Sequence, residues 1–261
     1  MGLPRTPSFR LDGRCALVTG GSKGIGLAAA AALVEAGAHV TVVARGAAEL
    51  EAARTELQAA CTVPGQQVVA APLDVTDAAA VDALVQRQAQ QQPFDILVNN
   101  AGMNRPHPLT RLPDADIDAV LALNVKAALF VARAVVRSLL AAARPGAVIN
   151  ISSQMGHVGG PQRTLYCATK HAVEGMTKAL AWEVGAQGIR VNSLCPTFIE
   201  TEFTAPMFRD PAFRAFAESG TALGRIGRIE EVMGGVVFLA SDAASLATGS
   251  ALMVDGGWTA R

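Results

Sequence analysis

The chain has 261 residues, with 22 lysines and arginines against 22 aspartates and glutamates, a formal charge of +0. No overall field would draw such a chain to nucleic acid or an anionic membrane, so neither is an expected partner. Charged residues make up only 17%, below the usual figure of about 25%, which implies much buried surface, including subunit interfaces.

The length suits one large α/β domain and no linker divides it, so 1–261 reads as a single domain. Cys15, Cys61, Cys167 and Cys195 are scattered, with neither metal-ligand spacing nor disulfide density. No metal is expected, and a reducing cytoplasm fits best. The opening MGLPRTPSFR lacks the apolar core of a secretory signal, and no run approaches the roughly 18 apolar residues of a membrane span. Gly2 with Thr6 matches a myristoylation pattern only loosely.

Short apolar runs at Cys15–Thr19, His39–Val43, Val68–Ala71, Ile96–Asn99, Val148–Ser152, Ile189–Leu194 and Leu252–Val254 read as strands. Helical patterns lie between them, at about 24–36, 47–59, 77–91, 114–142, 163–184 and 230–240. The alternation predicts a doubly wound Rossmann fold, a seven-stranded parallel sheet with helices on both faces. Residues 196–224 carry Pro196, Pro206 and Pro211 and no strand pattern. They read as a lid inserted over the sheet edge.

The first strand runs into TGGSKGIG, where Gly20, Gly24 and Gly26, with Ser22, Lys23 and Ile25 between them, lead into an alanine-rich helix. Glycines at a strand-to-helix turn let backbone amides approach a pyrophosphate, although the spacing differs from G-x-G-x-x-G. Arg45 follows the second strand, where an NAD enzyme would place an acid on the ribose diol. With Lys23 it favours the 2′-phosphate of NADP(H) over NAD(H); a solvated strand-end arginine is the alternative. Asp74 and Val75, after the third strand, suit the adenine, although Asp74 could equally cap a helix. In NNAG, the small Ala101 and Gly102 admit the ribose close to the backbone, and Asn99 and Asn100 can satisfy backbone groups or sugar hydroxyls.

The only tyrosine, Tyr166, stands four residues before Lys170 and thirteen after Ser153. The i to i+4 spacing puts phenol and ammonium on one helical face, where the ammonium would favour phenolate and make the tyrosine an acid/base.

Together these motifs resemble the short-chain dehydrogenase/reductase family of roughly 250 residues: TGxxxGIG at 19–26, NNAG at 99–102, Asn124 in a long helix, Ser153, Tyr166 with Lys170, and the closing VDGGW. The resemblance implies Tyr166 as general acid/base, Lys170 as its electrostatic partner and ribose ligand, Ser153 as donor to the substrate oxygen, and Asn124 as anchor of a proton-relaying water. It also implies that Pro196, Ile199 and Thr201 meet the cofactor, and that subunits pair into a homotetramer, a dimer of dimers. Two departures stand out. Thr197 follows Pro196 where the family commonly has glycine, and Ile229 replaces a usual proline.

The implied reaction interconverts a secondary alcohol and a ketone. The segments ISSQMGHVGG and CPTFIETEF most resemble gluconate 5-dehydrogenase-like members, pointing to a sugar acid or polyol. Polar residues expected to rim the pocket, Asn104, Arg105, His107, Gln154, His157, Gln162 and Arg163, could bind hydroxyls or a carboxylate, with solvated loop residues as the alternative. The lid instead gathers Phe198, Phe203, Phe208, Phe213 and Phe216, which pack among themselves or admit an apolar ketone. A 3-oxoacyl-carrier-protein reductase and a non-enzymatic dinucleotide sensor or scaffold are the alternatives.

Overall fold

The alternating runs pair as parallel strands because each is apolar on both faces and so can be covered from both sides. The strands are β1 (Cys15–Thr19), β2 (His39–Ala44), β3 (Val68–Pro72), β4 (Ile96–Asn99), β5 (Gly146–Ile151), β6 (Ile189–Pro196) and β7 (Ala251–Val254). They lie in the order β3-β2-β1-β4-β5-β6-β7. β1, β4 and β5 are buried at every residue, whereas the edge strand β7 is half-buried throughout. The computed structural model describes residues 3–202 and 204–260. Gly2, with its loose lipidation pattern, and Phe203, expected in the lid, lie outside the described residues.

The helices are α1 (Gly24–Glu35), α2 (Ala47–Ala59), α3 (Ala78–Ala89), α4 (Asp114–Leu121), α5 (Ala128–Ala141), α6 (Thr164–Val184), α7 (Pro211–Ser219) and α8 (Met233–Ala240). One apolar cluster joins Leu33 of α1 and Val236 of α8 to the sheet, and a second joins Val85 of α3 and Val131 and Leu139 of α5 to its other face. β1 is followed outward by β2 and β3, and the chain then returns to place β4 on the other side of β1. That reversal opens a crevice at the carboxyl ends of β1 and β4, the place where such sheets bind ligands.

Two features depart from the sequence reading. The long helix expected at 114–142 contains a π-turn, Ala122–Ala127, between α4 and α5. The stretch Asp114–Ala141 is also long and apolar enough to cross a membrane by length and composition, with mean hydropathy 1.9 over 18 residues. No unbroken apolar run reveals this, because Asn124, Lys126, Arg133 and Arg137 interrupt it; here its inner face, with Val131, Val135 and Leu139, is buried.

The second departure is in 196–224, which holds helix α7. Its prolines suggest breakage, yet Pro211 occupies the first turn while Asp210 Oδ1 accepts from the Ala212 amide at 2.9 Å. That is a start signal, since proline needs no donor there.

Candidate active site

The glycine turn is closed by geometry that side chains would forbid. Gly20 has φ +65°, and a Cβ at Gly26 would lie 2.1 Å from the Gly20 carbonyl oxygen. Asn100 ties the turn to β4: its Nδ2 donates to the carbonyls of Thr19 and Gly20 at 2.9 and 3.2 Å. Its own amide and that of Ala101 donate to Thr19 Oγ1 at 2.9 and 3.0 Å. The Asn100 side chain thus builds the loop, and only backbone at Asn100 and Ala101 is left to face a ligand.

Lys23 is the N-cap of α1 without any side-chain capping bond. The first-turn amides therefore carry the helix's positive end with no capping side chain, as an anion site requires. Ser22 and Gly24 are half-exposed there, while Ile25 packs against the core and can offer only backbone. Among the described residues, a Cβ at Gly24 would meet Thr201, at 4.0 Å, so Thr201 of the 196–224 segment comes to the mouth of the turn.

Arg45 is exposed at the end of β2, as the sequence leads one to expect. Lys23 is not free beside it: its Nζ lies 3.6 Å from Glu49 Oε2 on α2, both side chains about two-thirds exposed. Glu49 is a carboxylate that a strand-by-strand reading overlooks because it belongs to the following helix. Asp74 does not cap α3, a role taken by Asp77. Asp74 Oδ1 accepts from the Thr76 amide and hydroxyl at 2.9 and 2.8 Å. Those bonds, with Arg45 adding to them, hold its carboxyl below the usual aspartate value. Val75 is buried in the second core cluster.

The four catalytic candidates converge. Ser153 lies two residues beyond β5 and caps the short turn Gln154–Gly156, and its hydrogen bond to Tyr166 is one of the influences on the phenol. Lys170 Nζ lies 5.5 Å from the Tyr166 ring centroid and donates to the Ile151 carbonyl at 2.8 Å. Asn124 sits in the π-turn, 3% exposed. Its Oδ1 accepts from the Met103 amide, and its Nδ2 donates to the Met103 carbonyl, both at 2.8 Å. Nδ2 also reaches Thr169 Oγ1 at 3.2 Å, between Tyr166 and Lys170 on α6. π-Turns of this kind often mark functional positions.

The electrostatics correct one expectation. Burial pushes the Tyr166 phenol up to about 12, offset in part by the Ser153 hydrogen bond and then by the nearby positive charge of Arg163. Lys170 is itself pulled down to about 8 by burial, with Cys195 and Glu174 opposing that fall. Low-dielectric surroundings penalise both charged forms, which helical spacing cannot reveal. Arg163, expected on a solvated rim, is 8% exposed.

Gln154, another expected rim residue, is 2% exposed and accepts the Ser153 hydroxyl at 2.7 Å. Arg105 and His107 turn to Asp116 of α4, at 3.8 and 3.4 Å. Gln162 is exposed and holds φ +57° just before α6. His157 turns inward to Glu174 and Cys195. The aromatics of 196–224 pack on one another and on Trp258: Phe198 lies 5.4 Å from Phe213 and 5.5 Å from Trp258, centroid to centroid. Pro196 ends β6 in register with Val254. Ile199 is buried, and its carbonyl accepts the Thr204 hydroxyl at 2.6 Å.

Two buried atoms, Thr197 Oγ1 and Asn104 Oδ1, have no hydrogen-bond partner among the described residues. They follow the carboxyl ends of β6 and β4, where a polar ligand would satisfy them. With the uncapped helix and glycine turn, the residues present fit a dinucleotide. A separate cleft of about 430 Å³ between α3 and α5, lined by Asp82, Val85, Arg137 and Ala141, contains none of these groups.

Comparison with known proteins identifies the family. The family model described as Enoyl-(Acyl carrier protein) reductase matches residues 20–259. The chain is 39% identical over 252 residues to the gluconate 5-dehydrogenase of Gluconobacter oxydans (strain 621H), covering 96% of each. It is also 39% identical over 248 residues to a 3-oxoacyl-[acyl-carrier-protein] reductase of Chlamydia trachomatis, covering 95% of this chain and 98% of that one. Among solved structures, a gluconate 5-dehydrogenase from Burkholderia cenocepacia J2315, in complex with NADP and tartrate, superposes with TM-score 0.91 at 36% identity, covering 97% of this chain and 98% of that one. This protein belongs to the short-chain dehydrogenase/reductase family.

Proposed function

We propose that this protein is an NADP(H)-dependent oxidoreductase that interconverts a secondary alcohol and a ketone, with a sugar acid or polyol as substrate. The observation that carries the reading is the convergence of Ser153, Tyr166 and Lys170 beside an uncapped glycine turn. A bound nicotinamide supplies or accepts the hydride. Tyr166, held neutral by burial, is poised as an acid to protonate a carbonyl oxygen as negative charge builds on it. Ser153 steadies the same oxygen by turning its hydroxyl from Gln154. Lys170 holds the ribose and contributes positive charge, and Asn124 clamps the Met103 loop beside the site while anchoring the proton relay.

Arg45 and Lys23 would grip the 2′-phosphate, and the first-turn amides of α1 the pyrophosphate. Asp74, Val75, Asn100, Ala101 and Gly102 line the adenosine side, and Pro196, Ile199 and Thr201 the nicotinamide side. The polar orphans Thr197 and Asn104 favour a hydroxylated substrate, and the lid phenylalanines, engaged with Trp258, weigh against an apolar one. The curated relatives alone do not choose between sugar acids and acyl carriers, since one of each kind is 39% identical.

The decisive assay follows NADPH oxidation with 5-ketogluconate, an acetoacetyl thioester and an aryl ketone, using the wild type and Tyr166→Phe. Turnover of 5-ketogluconate that is lost in the variant supports the reading. Preference for the thioester would move it to the carrier-protein reductases, and no hydride transfer to any carbonyl would favour a dinucleotide sensor.

The same reading takes 1–261 as one cytoplasmic domain whose 196–224 segment is the lid, assembled as a homotetramer. Leu121, Leu129, Leu140 and Trp182 on α4, α5 and α6 are 42%, 48%, 44% and 91% exposed, an apolar surface suited to subunit pairing. Solution scattering that gave a monomer would overturn the assembly.

A further inference from the structure

Behind Lys170, in the wall formed by β5, β6 and α6, three side chains distant in sequence meet. His157 Nε2 lies 3.5 Å from Cys195 Sγ, Cys195 Sγ lies 3.4 Å from Glu174 Oε1, and Glu174 Oε2 lies 3.6 Å from His157 Nε2. One ligand atom from each falls within 4.8 Å of the others. We infer that His157, Glu174 and Cys195 form a binding site for a thiophilic divalent cation of the zinc class.

The spacing is the first argument. A tetrahedral zinc bound at about 2.3 Å to sulfur and about 2.0–2.2 Å to nitrogen and oxygen has ligand-to-ligand edges of roughly 3.3–3.6 Å. The imidazole–sulfur edge of 3.5 Å and the sulfur–Oε1 edge of 3.4 Å fall in that range, while the 3.6 Å contact to the imidazole is made by Oε2, so the Glu174 carboxylate must turn to bring one oxygen to both partners. Charge is the second. A thiolate, a carboxylate and a neutral imidazole together carry the two negative charges that such a cation neutralises.

The third argument is that the wall holds costs a cation would remove. Glu174 is 4% exposed; it accepts the Ser193 hydroxyl at 2.9 Å and the Cys195 thiol at 3.4 Å, with the Lys170 ammonium as a nearby positive charge, and a bound cation would add to the stabilisation that a buried carboxylate needs. Ser152 Oγ, on a residue 4% exposed, has no hydrogen-bond partner among the described residues. It is available as a fourth ligand or as a donor to the thiolate. The His157 side chain is 29% exposed and provides the entrance.

Backbone packing holds the set together: a Cβ at Gly156 would lie 2.9 Å from Ser152 Oγ and 3.1 Å from Glu174 Cγ. The chemistry on binding is a ligand exchange. The Cys195 thiol loses its proton to solvent as the sulfur–metal bond forms, and nothing is oxidised or reduced. Sulfur and imidazole select zinc, cobalt or copper over magnesium and calcium. Spacing along the chain hides the set, because the three residues lie 17 and 21 positions apart on three different elements.

The test uses full-length protein freed of metal with a chelator and titrated with cobalt(II), then with zinc. We expect one cobalt per chain with a thiolate-to-cobalt charge-transfer absorption, its displacement by zinc, and no displacement by magnesium. Cys195→Ala should abolish the charge-transfer absorption, and both it and the half-exposed His157→Asn should weaken cobalt binding by at least roughly 10-fold. Far-ultraviolet circular dichroism checks that each variant folds. Absence of the charge-transfer absorption in wild type, or affinity unchanged in both folded variants, would overturn the inference. The readout needs no turnover, so its outcome is independent of the proposed reaction.

Discussion

Truncating Asn124 tests whether the π-turn is a working clamp. Asn124→Ala removes the two 2.8 Å bonds to the Met103 amide and carbonyl and the longer 3.2 Å bond to Thr169. Thr169 is not orphaned, because its hydroxyl still donates to the Tyr166 carbonyl at 2.8 Å. The Met103 groups are orphaned on a half-buried residue, at about 1 kcal/mol each, the low end for unsatisfied groups. A cavity at a 3% exposed position adds about 1 kcal/mol more. The sum, about 2–4 kcal/mol, corresponds in a chain of this size to a Tm drop of roughly 5–15 °C. Thermal unfolding followed by circular dichroism at matched protein concentration reads it directly. Release of the Met103 loop should also lower kcat at least about 10-fold, since small misplacements near reacting groups are costly. A Tm within about 2 °C of wild type, with kcat unchanged, would refute the clamp.

The Lys170 ammonium, lost at about pH 8 in the folded chain, sets an alkaline limb: kcat/KM for carbonyl reduction should fall tenfold per pH unit above that value. A profile flat through pH 8 would count against Lys170 acting as a cation. Its stability effect has the opposite sense. Below about 8 folded and unfolded chains both carry the proton and the burial cost is fully present, and the cost is relieved as pH rises toward the ordinary value of 10.5. Arg45→Asp should lower the NADP-to-NAD ratio of kcat/KM by about 10–150-fold. Glu49→Gln, which frees Lys23, should raise that ratio up to roughly fivefold; ratios unmoved in both variants would remove the 2′-phosphate assignment. Phe198→Ala takes away the ring that meets Phe213 and Trp258, at about 2–4 kcal/mol. Limited proteolysis should then cut first within 196–224, and an unchanged cleavage pattern would show that the aromatic cluster does not pin the lid.

The amino-acid order alone determined the alternation of strands and helices, the glycine turn and the Tyr166–Lys170 face, because each rests on contacts within a few residues. Periodicity of apolar side chains and the conformational needs of glycine are local properties, and they placed all seven strands within about two residues of where they lie. The helix α7 escaped that reading because Pro211 is both a breaker and a helix starter, and only its position after Asp210 decides between them. Burial and long-range charge were decided by the tertiary structure. The phenol at Tyr166 is governed first by desolvation, with the Ser153 hydrogen bond opposing it. Lys23 is paired with an acid from the next helix, and Glu174 meets His157 and Cys195 across three elements. Coulomb energy and solvation depend on distance and dielectric in space, which the chain acquires only when its sheet closes and its helices pack upon it.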